Sequence, residues 1–429
     1  MLKKLTIARF KSIRDQSLEF GLVNIFIGGN GAGKSNFLEA IGLASAACGR
    51  GISETDLARK GIRQSPPALI KSAHKGMDIP KTIELLAEFD NDVQYKCNLT
   101  ASDNDFNLKF HSESCSFGGV PQFGRSGNGD RVFGNQLPRA AEKFRGLWDQ
   151  IKASFAFSPD MIEQLDEFSR YCIFAPQTDF LRGVKVSSMY DPPVGLHGEG
   201  LSQAVMDILF QLHGHAVQDS EQVSYSKEKL MEFSKSIINL VFLPGWTNAF
   251  KVGSIDTKLV SKGIADAQKE VLYFVDRFMH EKRRTLTAYD SSEGTLFLLF
   301  ITVLLCHINS PKYFSVDNID NALNPKLTRK LLEETIRVVK TVRNDELSFG
   351  PKQVFLTSHN PTSIDAFDIF DDDVRVFVAY RDKKGQTLAR RLAPPANVDR
   401  EKWAILKGGK TLSQLWIEGL IPNLNGGDL

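Results

Sequence analysis

Cysteine is scarce and carries no pattern. The five residues, Cys48, Cys97, Cys115, Cys172 and Cys306, are odd in number, widely scattered and contain no C-x-x-C pair. That excludes a disulfide framework and a cysteine-based zinc site, and fits free thiols in a reducing compartment. An excess of charge of either sign is also missing: 53 Lys+Arg against 51 Asp+Glu leaves +2. No bulk field therefore advertises nucleic acid or an anionic membrane, although a local basic groove is compatible with this balance. Long apolar runs are absent too. The closest, Thr295 to Cys306 (TLFLLFITVLLC), falls short of the roughly 18 residues that span a bilayer, and no charged, apolar, small-residue leader opens the chain. The expectation is a cytoplasmic protein with no membrane contact. Internal repeats and sustained heptads are lacking as well, which disfavours a solenoid or a long coiled-coil arm.

What is present is 429 residues, 42% hydrophobic and 24% charged, enough to bury a large core in two lobes. LKKLTIARF and LVNIFIGG read as strands, and the second stops at glycine before KSNFLEAIGLASAA, which has helical spacing. In that strand–loop–helix setting, Gly28 to Ser35 (GGNGAGKS) fits G-x-x-x-x-G-K-[ST]. The physical logic is an anion site. Glycines let successive N–H groups turn inward as a nest, and the helix that follows adds the partial positive charge of its N-terminus. Gly28, Asn30, Gly31, Ala32, Gly33, Lys34, Ser35 and Asn36 are the nucleotide-binding candidates. Lys34 is expected to reach the β- and γ-phosphates of ATP and Ser35 to ligate Mg²⁺ with a hard hydroxyl oxygen. A dinucleotide fingerprint is excluded, because glycine would be needed where Lys34 stands.

A second stretch, YFSVDNIDNALNP (313–325), runs from an apolar strand into Asp317, the carboxylate expected on the metal side. Hydrolytic enzymes of this design follow it with a glutamate that takes a proton from the attacking water. Here Asn318 stands in that place, and an amide can orient the water without deprotonating it. Weak hydrolysis is expected. Asp320 offers a substitute base if the loop bends back, while Asn318 and Asn321 also suit ordinary turn chemistry. An acidic cluster, DAFDIFDDDVRV, reads as a solvated loop before a strand, not as a two-metal nuclease.

TAYDSSEGTLFLLF precedes Asp317 and QVFLTSHNP follows it. That order of stations after a glycine loop near residue 30 resembles the ABC-type ATPase heads of the RecF and SMC sort. The resemblance implies that Ser292 and Gly294 form a signature loop touching the γ-phosphate held by a second subunit, and that His359 is the switch histidine. It implies further that Gln177 senses the metal and that Lys11 and Ser12, in RFKSIRD, approach base and phosphates. Taken alone, SSEG is simply a helix cap with Ser292 as the capping residue. Within the superfamily, SVDNIDNALNPKL, LTSHNPTSID and TLSQLWIEGLI look most like the Septu ATPases (PtuA) of bacterial anti-phage systems. Membership there would imply a homo-oligomer that holds an HNH nuclease subunit (PtuB-like) and meets DNA through the complex. The rival within the superfamily is a DNA-repair ATPase that binds DNA and hydrolyses ATP.

The fold expected is α/β: an ABC-ATPase-like P-loop head with a mixed sheet and an inserted, mainly helical lobe. Residues 1–195 and 285–429 would build the head and 196–284 the lobe, read as amphipathic helices to about Arg284. The glycine-rich stretch 115–138 reads as a loop or partner surface without regular structure. VRVFVAYRDKKGQTLARRL reads as a hairpin.

Overall fold

The computed structural model describes residues 1–101, 108–138, 141–185, 190–191, 193–213, 227–260, 270–395 and 397–419. The chain divides into two compact units. One joins Met1–Ile173, Tyr313–Asn318 and Gln353–Leu429; the other joins Phe174–Lys312 and Ile319–Lys352. The second takes in more chain than the lobe expected at 196–284.

Two sheets build the first unit. The inner one runs in the order Cys172–Phe174, Tyr313–Val316, Gln353–Ser358, Val23–Ile27, Val374–Arg381, Thr387–Leu392. Val23–Ile27 is paired in parallel on both sides, Gln353–Ser358 is parallel to Tyr313–Val316, and the last two strands close as the antiparallel hairpin expected from their sequence. Every residue of Val23–Ile27, Tyr313–Val316 and Gln353–Ser358 is buried. Continuous burial of this kind, which here takes in Asn24, Ser315, Gln353, Thr357 and Ser358 among the apolar residues, belongs to strands covered on both faces. The outer sheet is antiparallel, with eight strands from Ile13–Glu19 at one edge to Asn135–Gln136 at the other. Its strands alternate instead: in Thr82–Phe89 every second residue is buried, which turns one face to the core. Helix Lys34–Cys48 packs against strands of both sheets. It is buried at every residue except Ser35, and its small side chains (Ala40, Gly42, Ala44, Ala46, Ala47) admit the close approach.

The glycine-rich stretch 115–138 is a correction to the sequence reading. It is a meander of short strands, Val120–Ser126, Gly129–Val132 and Asn135–Gln136, added to the outer sheet. Gly118 and Gly119 both take positive φ, 57° and 77°, and join Lys109–Phe117 to Val120–Ser126 as a two-residue turn. Such a turn needs positive φ at both central positions, so the glycines mark hairpin corners and not an unstructured loop.

The second unit is mainly helical. Its centre is helix Glu293–Cys306, buried from Thr295 onward on all sides and contacted by Leu201–Leu212, Lys227–Ile238 and Pro325–Asn344. The apolar run noted in the sequence is thus a core helix, and among the described residues no helix is long and apolar enough to cross a membrane. Pro325–Asn344 is capped by Asn324, whose side chain accepts from the Leu327 N–H, and buries a stripe including Leu331, Leu332, Val338, Val339 and Val342. Helical structure does not continue to residue 284, as the periodicity suggested. Thr247–Ser254, Glu270–Asp276 and Thr285–Thr287 form a three-stranded antiparallel sheet, and Val271 to Phe274 are four consecutive buried residues, a strand pattern that an apolar count cannot distinguish from a buried helix turn.

Candidate functional site

The register of the inner sheet decides where its chemistry collects. Ser358 lies beside Ile27 and Val316 beside Leu356, so three parallel strands end at the same edge. They deliver Gly28, Asp317 and His359 there, at the carboxyl ends of the strands where open α/β sheets place their ligand sites. Spacing in sequence becomes proximity only through this register.

At that edge the loop 28–33 turns into helix Lys34–Cys48. Gly28, Gly31 and Gly33 have φ of 150°, 77° and 94°. Gly33 is fixed by sterics as well as by its angle, since a Cβ there would lie 2.3 Å from Thr387 Oγ1. Gly29, Asn30 and Gly31 are exposed while Ala32 and Asn36 are buried. Lys34 is only 8% exposed; its Nζ donates to the Gly28 carbonyl at 2.9 Å and to the Gly29 carbonyl at 3.1 Å, bracing the loop from inside. The first turn of the helix carries no acidic residue of its own, so the carboxylate that approaches its positive end comes from another strand.

Ser35 and Asp317 meet. Ser35 Oγ is 3.1 and 3.0 Å from the two oxygens of the Asp317 carboxylate. Both are hard oxygen donors, the chemistry Mg²⁺ takes from a protein when phosphate and water supply the rest. Among the described residues no group of three or more His, Cys, Asp or Glu could hold a metal, so a cation here would depend on such shared coordination. Thr357 completes the arrangement: its Oγ1 donates to Asp317 Oδ1 and accepts from the Asn318 N–H at 2.8 Å. Asn318 itself has φ 57°, the left-handed region that asparagine enters more readily than glutamate. His359 is exposed just beyond the strand. Asn360 next to it has a structural task, capping the turn Pro361–Ala366 by accepting from the Thr362 N–H at 3.0 Å.

Lys11 is committed elsewhere. Its ammonium pairs with the buried carboxylate of Glu39, which also receives Arg63. Burial lowers the Lys11 pKa while Glu39 pulls it back up. Ser12 Oγ accepts from Asn36 Nδ2 at 2.7 Å and lies 2.7 Å from Thr387 Oγ1. Both residues thus brace the start of the phosphate-loop helix.

The remaining candidates belong to the second unit. Gln177 precedes the short helix Thr178–Leu181, with its Nε2 3.4 Å from His197 Nδ1. Ser292 sits at the N-cap of helix Glu293–Cys306, but its side chain makes no capping hydrogen bond, so an exposed hydroxyl stands at a helix N-terminus uncommitted. At Gly294 a Cβ would lie 2.9 Å from the Ala322 carbonyl oxygen. Asp320 is buried, at 7% exposure. Sequence reasoning missed Thr357, Thr387, Glu39 and Arg63. The only available signal was that Thr357 lies near the end of the strand that leads to His359.

Two family models match, each over less than half of the chain: one described as "AAA domain" over residues 4–180, the other as "AAA domain, putative AbiEii toxin, Type IV TA system" over residues 205–365. None of the curated proteins matches by sequence. Among solved structures, an SMC head bound to the C-terminal winged-helix domain of ScpA aligns with TM-score 0.51 at 13% identity, covering 91% of this chain and 98% of that one. An SMC head with an extended coiled coil, bound to the C-terminal domain of ScpA derived from Pyrococcus furiosus, aligns at 0.49 and 12%, covering 95% and 98%. The fold is that of an ABC-type P-loop ATPase head.

Proposed function

We propose that this chain binds ATP with Mg²⁺ at residues 28–36 and Asp317, hydrolyses it slowly, and uses the bound nucleotide to set how copies of the chain associate. The observation that carries the reading is the meeting of Ser35 with Asp317, 282 residues apart in sequence, at the mouth of a glycine loop braced by Lys34. A metal held between those oxygens would bridge to phosphate and neutralise its charge. The test is titration of a fluorescent ATP analogue: saturable binding with Mg²⁺, weakened about tenfold or more by EDTA, is expected, and no binding under either condition would end the proposal.

Slow turnover follows from Asn318, which can hold a water but cannot take its proton. Asn318→Glu is expected to raise phosphate release at least about tenfold, since general bases contribute roughly 10²–10⁴. Glutamate at a positive φ costs about 1–2 kcal/mol, roughly an order of magnitude, which lowers the bottom of that range to about tenfold. Phosphate release that is already brisk in the unaltered chain would reject this account.

The uncommitted Ser292 hydroxyl at a helix N-terminus supports a site shared between subunits, with Ser292 and Gly294 of one copy facing the γ-phosphate bound by another. Ser292→Arg and Lys34→Ala proteins, each inactive alone in phosphate release, are then expected to regain activity on mixing, because one composite site per dimer is intact. No recovery would argue against sharing.

The narrower proposal is a Septu-like defence ATPase that governs an HNH nuclease. It rests on the motif resemblance in SVDNIDNALNPKL and LTSHNPTSID. A RecF-like DNA-repair ATPase would instead show phosphate release stimulated by DNA.

A further inference from the structure

Thr387 begins the strand Thr387–Leu392 and is fully buried. It lies 355 residues from Ala32 in sequence, yet its Oγ1 donates to the Ala32 carbonyl at 3.1 Å, beneath the spot where Gly33 has no side chain. Its backbone N–H donates to the Ser12 carbonyl at 2.8 Å, so the residue is fixed from both sides.

The proton order in this cluster is determined by valence. Arg63 Nη2, which can only donate, bonds Asn36 Oδ1 at 3.1 Å. That identifies the other end of the Asn36 amide, 2.7 Å from Ser12 Oγ, as its NH₂ donor. The single Thr387 hydroxyl proton is spent on Ala32, so across the 2.7 Å contact Ser12 must be the donor. The result is a one-way chain: guanidinium to Asn36, Asn36 to Ser12, Ser12 to Thr387, Thr387 to the Ala32 carbonyl. Hydrogen bonds aligned head to tail polarise one another, and a cation at the head strengthens the effect.

The acceptor at the end matters because the Ala32 carbonyl and the Gly33 N–H are two ends of one peptide unit. Drawing electron density toward the carbonyl makes that N–H a stronger donor, and fixing the carbonyl fixes the direction of the N–H. We propose that Thr387 is a positioning residue for phosphate binding, which orients and polarises the Ala32–Gly33 peptide through its hydroxyl. This rests on the ATP-binding reading above, in which the Gly33 N–H is one of the inward-turned donors of the phosphate loop.

The experiment titrates a fluorescent ATP analogue with Mg²⁺ into the full chain and its Thr387→Val, Thr387→Ser, Ser12→Ala and Lys34→Ala variants, with thermal midpoints measured alongside. Thr387→Val keeps the shape and loses the hydroxyl; an affinity lowered about two- to tenfold is expected, the range of one ordinary hydrogen bond. Thr387→Ser should bind within about twofold of the unaltered chain, and Ser12→Ala, which removes the donor upstream, should shift affinity in the same direction as Thr387→Val. Unchanged affinity in Thr387→Val overturns the proposal. So does Thr387→Ser binding as weakly as Thr387→Val, or affinities that merely follow the thermal midpoints. If Thr387→Val does not fold, Thr387→Ala, which also removes the hydroxyl, takes its place against Thr387→Ser in the same titration. Failure of the underlying reading looks different: the unaltered chain would not bind the analogue, or Lys34→Ala would bind it equally well.

Discussion

Lys34→Ala is expected to weaken ATP binding about 100-fold, the largest functional effect of any single change in this chain. Two losses combine. In the proposed ATP complex the ammonium would supply charge-assisted hydrogen bonds to phosphate, each worth roughly 1.5–3 kcal/mol, and about 3 kcal/mol corresponds to about two orders of magnitude in affinity. The same group braces the loop by donating to the Gly28 and Gly29 carbonyls, so its removal also loosens the geometry of the donors that remain. Lys34→Arg separates charge from fit. The site leaves Lys34 only 8% exposed, and a planar guanidinium is bulkier than an ammonium and bonds along fixed directions. Arginine should therefore recover little of the loss, even though the charge is kept. Titration of a fluorescent ATP analogue reads both variants, and undiminished binding by Lys34→Ala would remove the phosphate loop from the account altogether.

What could be read in the sequence, and what could not, divides by the range of the interaction. The loop 28–35 was legible because its glycines, lysine and serine act through their own backbone and the helix they start. Asp317 was legible because a short strand of apolar and small residues must end somewhere, and a carboxylate at its end is conspicuous. Thr357 and Thr387 were not legible. Each acts across a strand register or a hairpin, and nothing within a few residues of Thr387 announces that it will lie under Gly33. The ion pair of Lys11 was not legible for the same reason: the buried Glu39 that pairs with its ammonium lies one turn into the phosphate-loop helix Lys34–Cys48, 28 residues further along the chain. Local composition erred where one residue type serves two ends. The glycines of 115–138 look like breakers and act as hairpin corners. In Glu270–Asp276 a buried apolar run can serve a strand as readily as a helix.

Glu113→Ala carries the largest expected cost in stability. Its carboxylate is fully buried on strand Lys109–Phe117 and lies 3.1 Å from Arg125 Nε, itself only 8% exposed. It accepts from Tyr95 OH at 2.9 Å and from the Leu147 N–H at 3.1 Å to each oxygen. Above about pH 7, where the carboxyl is ionised, alanine would strand all three donors and leave a guanidinium buried without its counter-charge, which costs about 3–5 kcal/mol and lowers the thermal midpoint by about 10 °C in a domain of this size. Removing both partners, as Glu113→Leu with Arg125→Leu, should cost much less, because no buried charge is left over. Burial also pushes the Glu113 pKa up from 4.5 to about 7, outweighing the downward pull of Arg125. Between those two values the folded chain holds a proton that the unfolded chain has released. Stability therefore falls as pH rises from about 4.5 to about 7, and this contribution is flat above that range. Glu113→Gln, which cannot titrate, should lose that part of the slope, so thermal midpoints of the two proteins measured from pH 5 to pH 8 should run apart across the window. Parallel curves would show that the Glu113 carboxyl is ionised at every pH in the folded chain and that Arg125 and the Leu147 N–H outweigh its burial.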